Sequence, residues 1–186
     1  MSQRHAFQEE QGSLPVDKLV FLDETAVWCF MNAYYGWSDV GRPPVLCGSK
    51  HGKRLSFIGA MAVDGPRGHM MYEGTLNGDL MVEYIDTELG PKLRQDDIVV
   101  MDGLRVHTMA KVRAAIRRWG AKLLVLPPYS PELNPIELAW STMKARIRKL
   151  GATCLDQLEQ FAHEVWTELP TYFAGWIKHC GYIQST

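Results

Sequence analysis

The side chains best suited to chemistry are carboxylates that close apolar runs. "VFLDET" at 20–25 carries Asp23, "IVVMDG" at 98–103 carries Asp102, and "PPYSPELNPIELAW" at 127–140 carries Glu132 and Glu137. In sheets with crossover helices the carboxyl ends of strands are where ligands gather. An aspartate at such an end also makes Asx turns or caps the next helix, so neither Asp23 nor Asp102 decides the matter alone. In the third stretch Asn134 is a good N-cap, Pro135 suits the first helical position, and Glu137 falls where its carboxylate can reach back in a capping box. That structural role stands beside a chemical one. Glu132 lies in a proline-bounded turn, where an acid is ordinarily solvated.

Carboxylates gathered from three separate elements repel one another, by roughly 1 to 4 kcal/mol per pair at about 4 Å depending on the dielectric. A hard divalent cation removes that cost, and oxygen donors select Mg or Mn over softer metals. Two such ions about 3.5 to 4 Å apart serve phosphodiester chemistry by activating the attacking oxygen and stabilising the leaving one. The composition of the candidate site therefore points to metal-dependent phosphodiester chemistry.

The residues around these acids favour a phosphate partner. Glu137, Ser141, Lys144 and Arg148 follow one another at spacings of four, three and four, so one helix stripe begins acidic and turns basic. Arg105, Lys111, Arg113, Arg117 and Arg118 precede it, and the region 105–149 is basic within a chain whose formal net charge is only -1. A solvated helix face has the same pattern. Arg54, Lys53 and His51 form another basic cluster, and Trp28, Tyr34, Tyr35 and Trp37 are aromatics of the kind that stack on bases or pack in loops.

Positioning the acids requires an ordered set of elements. "DKLVFLDET" reads as a buried strand, and "KRLSFIGAMAVDG" and "HMMYEGTL" read as two more, joined through an Asp-Gly turn. Leu80, Met81, Tyr84 and Ile85 recur at helical spacing, with Asn77 or Asp79 as cap and Pro91 after the stop. "DDIVVMDG" is a fourth strand. A helix whose apolar face runs from Val106 to Trp119 ends at Gly120, "AKLLVLPP" is the fifth strand, and Ile136, Trp140, Met143, Ile147 and Leu150 trace the last amphipathic helix. Early hairpins favour antiparallel pairing and the later helix crossovers favour parallel pairing, which predicts an α/β fold with a mixed five-stranded sheet flanked by helices. Residues 1–18 form a polar lead-in, 19–150 the core, and 151–186 a C-terminal helical and aromatic extension in which Trp166 and Trp176, like Trp119 and Trp140, read as core.

Composition excludes several classes. With 186 residues and 46% hydrophobic content, the chain fits one globular domain. The cysteines at 29, 47, 154 and 180 form no Cys-x-x-Cys pair and suit a reduced cytoplasmic protein. No apolar run approaches the roughly 20 residues of a membrane helix. "HEVWT" at 163–167 starts like a zinc-protease helix, but Thr167 stands where the second histidine is required.

Taken together, "LDET", "VVMDG" with His107, and "LPPYSPELNPIELAW" resemble the catalytic core of DDE transposases of the mariner superfamily, in its bacterial insertion-sequence branch, from about Leu19 to Leu150. The 34 residues between Asp102 and Glu137 match a spacing familiar there. The resemblance implies a ribonuclease H-like fold, a metal-binding catalytic triad of Asp23, Asp102 and Glu137 with two Mg or Mn ions, and Glu137 in preference to Glu132. It implies cleavage of double-stranded DNA at transposon ends and strand transfer into a target, with water and then a 3′ hydroxyl as nucleophile. Arg105, Lys144 and Arg148 would contact DNA, and His107 would contact phosphate or order the site. A homodimer acting on bacterial DNA in the cytoplasm, at the nucleoid, follows by the same analogy.

Two departures qualify the resemblance. Gly103 stands where the family places an asparagine, and only 18 residues precede the first strand, where the family carries helix-turn-helix modules for its DNA ends. Lacking them, the chain is expected to bind ends weakly. Two other functions fit the residues: a non-catalytic DNA-binding or dimerisation module that regulates a full-length transposase, and a ribonuclease H-like nuclease without strand transfer.

Overall fold

A computed structural model describes residues 3–31, 38–42 and 52–183. Tyr34, Tyr35, Trp37, Cys47 and His51 lie outside the described residues, as does most of the Gly- and Pro-rich stretch around them. The elements are α1 (Gln3–Gln11), β1 (Leu19–Trp28), β2 (Arg54–Ala62), β3 (Gly65–Tyr72), α2 (Gly78–Tyr84), β4 (Ile98–Met101), α3 (Ala110–Arg118), β5 (Lys122–Val125), α4 (Ile136–Leu150), α5 (Leu155–Glu168) and α6 (Pro170–His179).

The strands form one five-stranded sheet in the order β3-β2-β1-β4-β5. β1, β2 and β3 pair antiparallel, while β1 with β4 and β4 with β5 pair parallel. The mixed sheet expected from the alternation of hairpins and crossovers is thus present, with β1 at its centre. Alternation along β1 explains that position. Leu19, Phe21 and Val27 face one apolar cluster, with α4, α5 and α6, while Val20 and Leu22 face the other, with α2 and α3. A strand buried on both sides reads as a continuous apolar run, which is how "LVFL" reads.

Packing is close where α4 and α5 meet the sheet. Trp140 and Trp166 stack with centroids 5.4 Å apart, and Phe57 of β2 meets both. Gly59 makes this possible, because a Cβ there would lie 2.8 Å from the Trp140 ring and 2.9 Å from the Trp166 ring. α5 and α6 supply Leu158, Ala162, Trp166, Phe173 and Ile177 to the same buried cluster as β1.

Several expectations about helices are corrected. The helix opened by Asn77, whose side chain accepts from the backbone N–H of Asp79 and Leu80, leaves α geometry after Tyr84. It continues through a π turn (Ile85–Leu89) and a 3-10 turn (Gly90–Lys92) that contains Pro91. A proline lacks the N–H that an α-helix interior uses, and the altered turn accommodates it. α3 begins at Ala110 rather than near Val106, because residues 102–109 are held in turns that start at Asp102. Gly120, in the left-handed region at φ 75°, ends that helix as expected. The capping box is absent: Pro135 occupies the cap position of α4, no side chain caps it, and the buried Oδ1 of Asn134 has no hydrogen-bond partner. Trp119 is not core but 37% exposed, its indole donating to Asp86 Oδ1 at 3.2 Å.

Candidate metal centre

β1 places Asp23 midway along the central strand, opposite Gly59 of β2. Its carboxylate lies on the α4 side of the sheet, where Trp140 Nε1 donates to Oδ2 at 3.0 Å. The pleat sends Glu24 to the opposite face. Asp102 follows the last residue of β4, the neighbour of β1, and its Oδ1 accepts from the Leu104 backbone N–H at 3.0 Å. Glu137 lies in the first turn of α4, one helical turn before Trp140. Asp102 and Glu137 line one cleft of about 440 Å³, together with Gly103, Pro127, Tyr129 and Asn134.

The electrostatics bind these acids into one group. Burial holds Asp23 well above the ordinary carboxylate range, and the charges of Glu24, Glu137 and, more weakly, Asp102 push the same way. Burial also raises Glu137; Lys144 opposes it, and Asp102 and Glu24 reinforce it. Asp102 goes the other way. Burial would raise it, but the hydrogen bonds from His107 and the Leu104 N–H hold it below its usual value. Asp23, Glu24 and His107 each bring a donor atom within 4.8 Å of the others. Crowded, desolvated carboxylates that resist ionisation are what a hard divalent cation relieves.

His107 is where the structure departs most from expectation. The side chain is fully buried, its Nδ1 2.5 Å from Asp102 Oδ1 and its Nε2 2.9 Å from Glu24 Oε2. Burial would lower its pKa, but hydrogen bonds to the two acids prevail and push it up to about 10, so the ring is cationic at neutral pH. With no exposed surface and both nitrogens engaged, it has nothing to offer a DNA phosphate. Of the two roles expected of His107, burial opposes the phosphate contact, and the bonds to Asp102 and Glu24 are of the kind that order a site.

The other cations expected to meet DNA divide by location. Arg105 and Lys144 border a groove of about 500 Å³ that also takes in Glu24, Arg54 and Tyr72. Arg148 lies one turn further along α4 and is partly buried. Arg54 also sits over the exposed Trp28 ring, 5.9 Å from its centroid. Glu132 forms an exposed ion pair with Arg4 of α1 at 2.8 Å and lines, with Glu137 but not Asp102, a second pocket.

Sequence reasoning missed Glu24 and the indole of Trp140. Strand alternation points Glu24 to the other side of the sheet from Asp23, which hides it from sequence reasoning, yet its carboxylate comes within 4.8 Å of both Asp23 and His107. Trp140 reads as core, and it is core; its N–H has the additional role of holding Asp23.

Comparison with known proteins is consistent with this arrangement. The family model described as DDE superfamily endonuclease matches residues 18–159. The Transposable element Tcb2 transposase of Caenorhabditis briggsae is 33% identical over 64 residues, which are 34% of this chain and 23% of that protein. The Mos1 transposase paired-end complex with left transposon end superposes with a TM-score of 0.70 at 15% identity, over 97% of this chain and 60% of that one. The Mos1 transposase catalytic domain solved with Raltegravir and Mn gives 0.64 at 13% identity, over 97% and 92%. The fold is thus the ribonuclease H-like fold of that catalytic domain, while the chain spans only about a quarter of the Tcb2 transposase.

Proposed function

The chain belongs to the DDE superfamily endonucleases, and on that premise we propose that it is a transposase catalytic domain that cleaves double-stranded DNA with divalent metal and joins the freed 3′ end to a target. The observation that carries this reading is that Asp102, at the end of β4, and Glu137, on α4, line one cleft, while Asp23 of β1 feels the charge of both and, like Glu137, resists ionisation.

Mg or Mn fits these residues, since every donor is a carboxylate oxygen and the mutual repulsion is relieved by a dication. Asp23, Asp102 and Glu137 would hold two such ions, which supply charge for the attacking and leaving oxygens of a phosphodiester. The remaining work is done by the chain. Trp140 fixes one oxygen of Asp23, and the Leu104 N–H and His107 fix one oxygen of Asp102. Arg105 and Lys144, with Arg148 further along α4, bind the DNA backbone beside the cleft. No side chain becomes covalently bound to DNA; water and then a 3′ hydroxyl attack. The Mos1 structures with Mn and with a transposon end support metal and DNA as partners by likeness of fold.

Membership of the bacterial insertion-sequence branch, with action at the bacterial nucleoid, rests on the motif "LPPYSPELNPIELAW". Two DNA ends must be brought together for transposition, so the active form is a homodimer. The test is incubation of a labelled duplex bearing a free 3′ hydroxyl with supercoiled plasmid and Mn. Joined product that requires both metal and Asp102 supports the reading. Nicking without joining marks a nuclease, and neither reaction marks a non-catalytic module.

A further inference from the structure

Asp102 receives both of its described hydrogen bonds on one oxygen. The Leu104 N–H and His107 Nδ1 converge on Oδ1, at 3.0 and 2.5 Å, a geometry that directs Oδ2 away from them. The segment that makes this possible is irregular. Residues 102–109 form turns closed by backbone bonds of 3.2 Å (Thr108 to Leu104) and 3.4 Å (Met109 to Val106), with no regular element before α3. Val106 and Met109 pack against the core beneath the sheet, and the segment's polar link to β1 is the buried imidazole, whose Nε2 meets Glu24 Oε2 at 2.9 Å. Glu24 itself is set in the ladder of β1, opposite Ile58 of β2.

We propose that Glu24 is a positioning residue that acts through His107 to orient the Asp102 carboxylate toward the metal. This rests on Asp102 being a metal ligand, as proposed above. The chain of contacts runs from a rigid strand through a carboxylate and an imidazole to the ligand. Outer partners of ligating carboxylates set their orientation and typically contribute about 10- to 100-fold in metal affinity. Neither Glu24 nor His107 touches DNA or metal in this account. The rival assignment makes Glu24 a ligand, since Asp23, Glu24 and His107 bring donor atoms within 4.8 Å; Glu24 Oε1 could ligate while Oε2 keeps His107, so the two assignments are separated by the variants below.

The experiment is calorimetric titration of the DNA-free protein with Mn²⁺, together with imidazole ¹⁵N–H spectra of His107, for wild type, Glu24→Gln, Glu24→Ala and Asp102→Asn. Glu24→Gln keeps an acceptor for Nε2–H, so it should bind Mn²⁺ within about threefold of wild type and retain the His107 signals. Glu24→Ala should lose about tenfold or more in affinity and lose the Nε2–H signal. Equal loss in the Gln and Ala variants makes Glu24 a ligand and overturns the proposal. Unchanged affinity in both overturns it as well. If Glu24→Ala does not fold, the Gln variant decides alone: its affinity is kept under the positioning role and lost under ligation. Unchanged Mn²⁺ binding in Asp102→Asn instead sinks the metal assignment of the preceding section, and the positioning role with it.

Discussion

The indole Nε1 of Trp140 donates to Asp23 Oδ2 at 3.0 Å, and this fastens the helix that carries Glu137 to the strand that carries Asp23. Glu137 and Trp140 lie one turn apart on α4, so the bond that stabilises a buried carboxylate also sets the approach of the second acid. Core packing and site geometry are here one interaction.

Trp140→Phe keeps most of the ring contacts with Phe57 and Trp166 but leaves a buried carboxylate oxygen without its donor. An orphaned buried acceptor costs about 1–3 kcal/mol. The urea midpoint should fall accordingly at unchanged slope, and metal-dependent activity should fall with it.

Asp23→Asn should have the opposite effect on stability. The folded-state pKa of Asp23 is raised by burial and by Glu24 and Glu137. The charged form is therefore disfavoured on folding, a cost that grows as pH rises from the unfolded value of about 3.9 through the raised one and is absent below both. At pH 7 to 8 in the presence of EDTA, Asp23→Asn should melt higher than wild type while losing stabilisation by Mg. A lower melting temperature would contradict the crowding of charge at the site.

Two glycines make a paired steric prediction. Gly59→Ala drives a methyl into Trp140 and Trp166, and overpacking of that kind costs about 1–3 kcal/mol. At Gly103 an added Cβ would meet only Val125 Cγ1 at 4.0 Å. Gly103→Asn should therefore stay within about 0.5 kcal/mol of wild type in chemical denaturation. Its nicking rate then reports whether an amide beside Asp102 contributes.

His69 of β3 and His163 of α5 face one another at 3.2 Å against Phe57 and Trp166. Burial, and then the His163 charge, lowers the His69 pKa. Its protonation therefore favours the unfolded chain, and stability is lost as pH falls from about 6.5 through the lowered folded value. His163→Gln should narrow that loss between pH 8 and 5. His107 contributes with the opposite sign, its raised value giving stability below about 6.5 that is lost as pH rises toward 10, so a site-resolved NMR titration of His69 is the clean measurement.

The succession of strands and helices and the mixed pairing were legible because each depends on short-range pattern: apolar runs closed by Asp23 and Asp102, and a period change after Asn77. What was not legible depends on contacts between distant segments. Glu24 gains its partner only when the loop after β4 crosses β1, and the α4 cap is lost because Asn134 is buried rather than turned to the helix end. Pro91 reads as lying beyond a stop, yet a π turn and then the 3-10 turn that holds Pro91 carry the helical path on. Which of the two roles suits His107 was open for a related reason, since sequence cannot show that both ring nitrogens are taken.

The most direct test of the account is nicking of supercoiled plasmid with Mg or Mn by wild type, Glu137→Gln and Glu132→Gln. The two glutamates share one short motif but differ in place: Glu137 lines the cleft with Asp102, and Glu132 pairs with Arg4. The account predicts that Glu137→Gln abolishes metal-dependent nicking while Glu132→Gln retains it. Equal activity in all three proteins would contradict it.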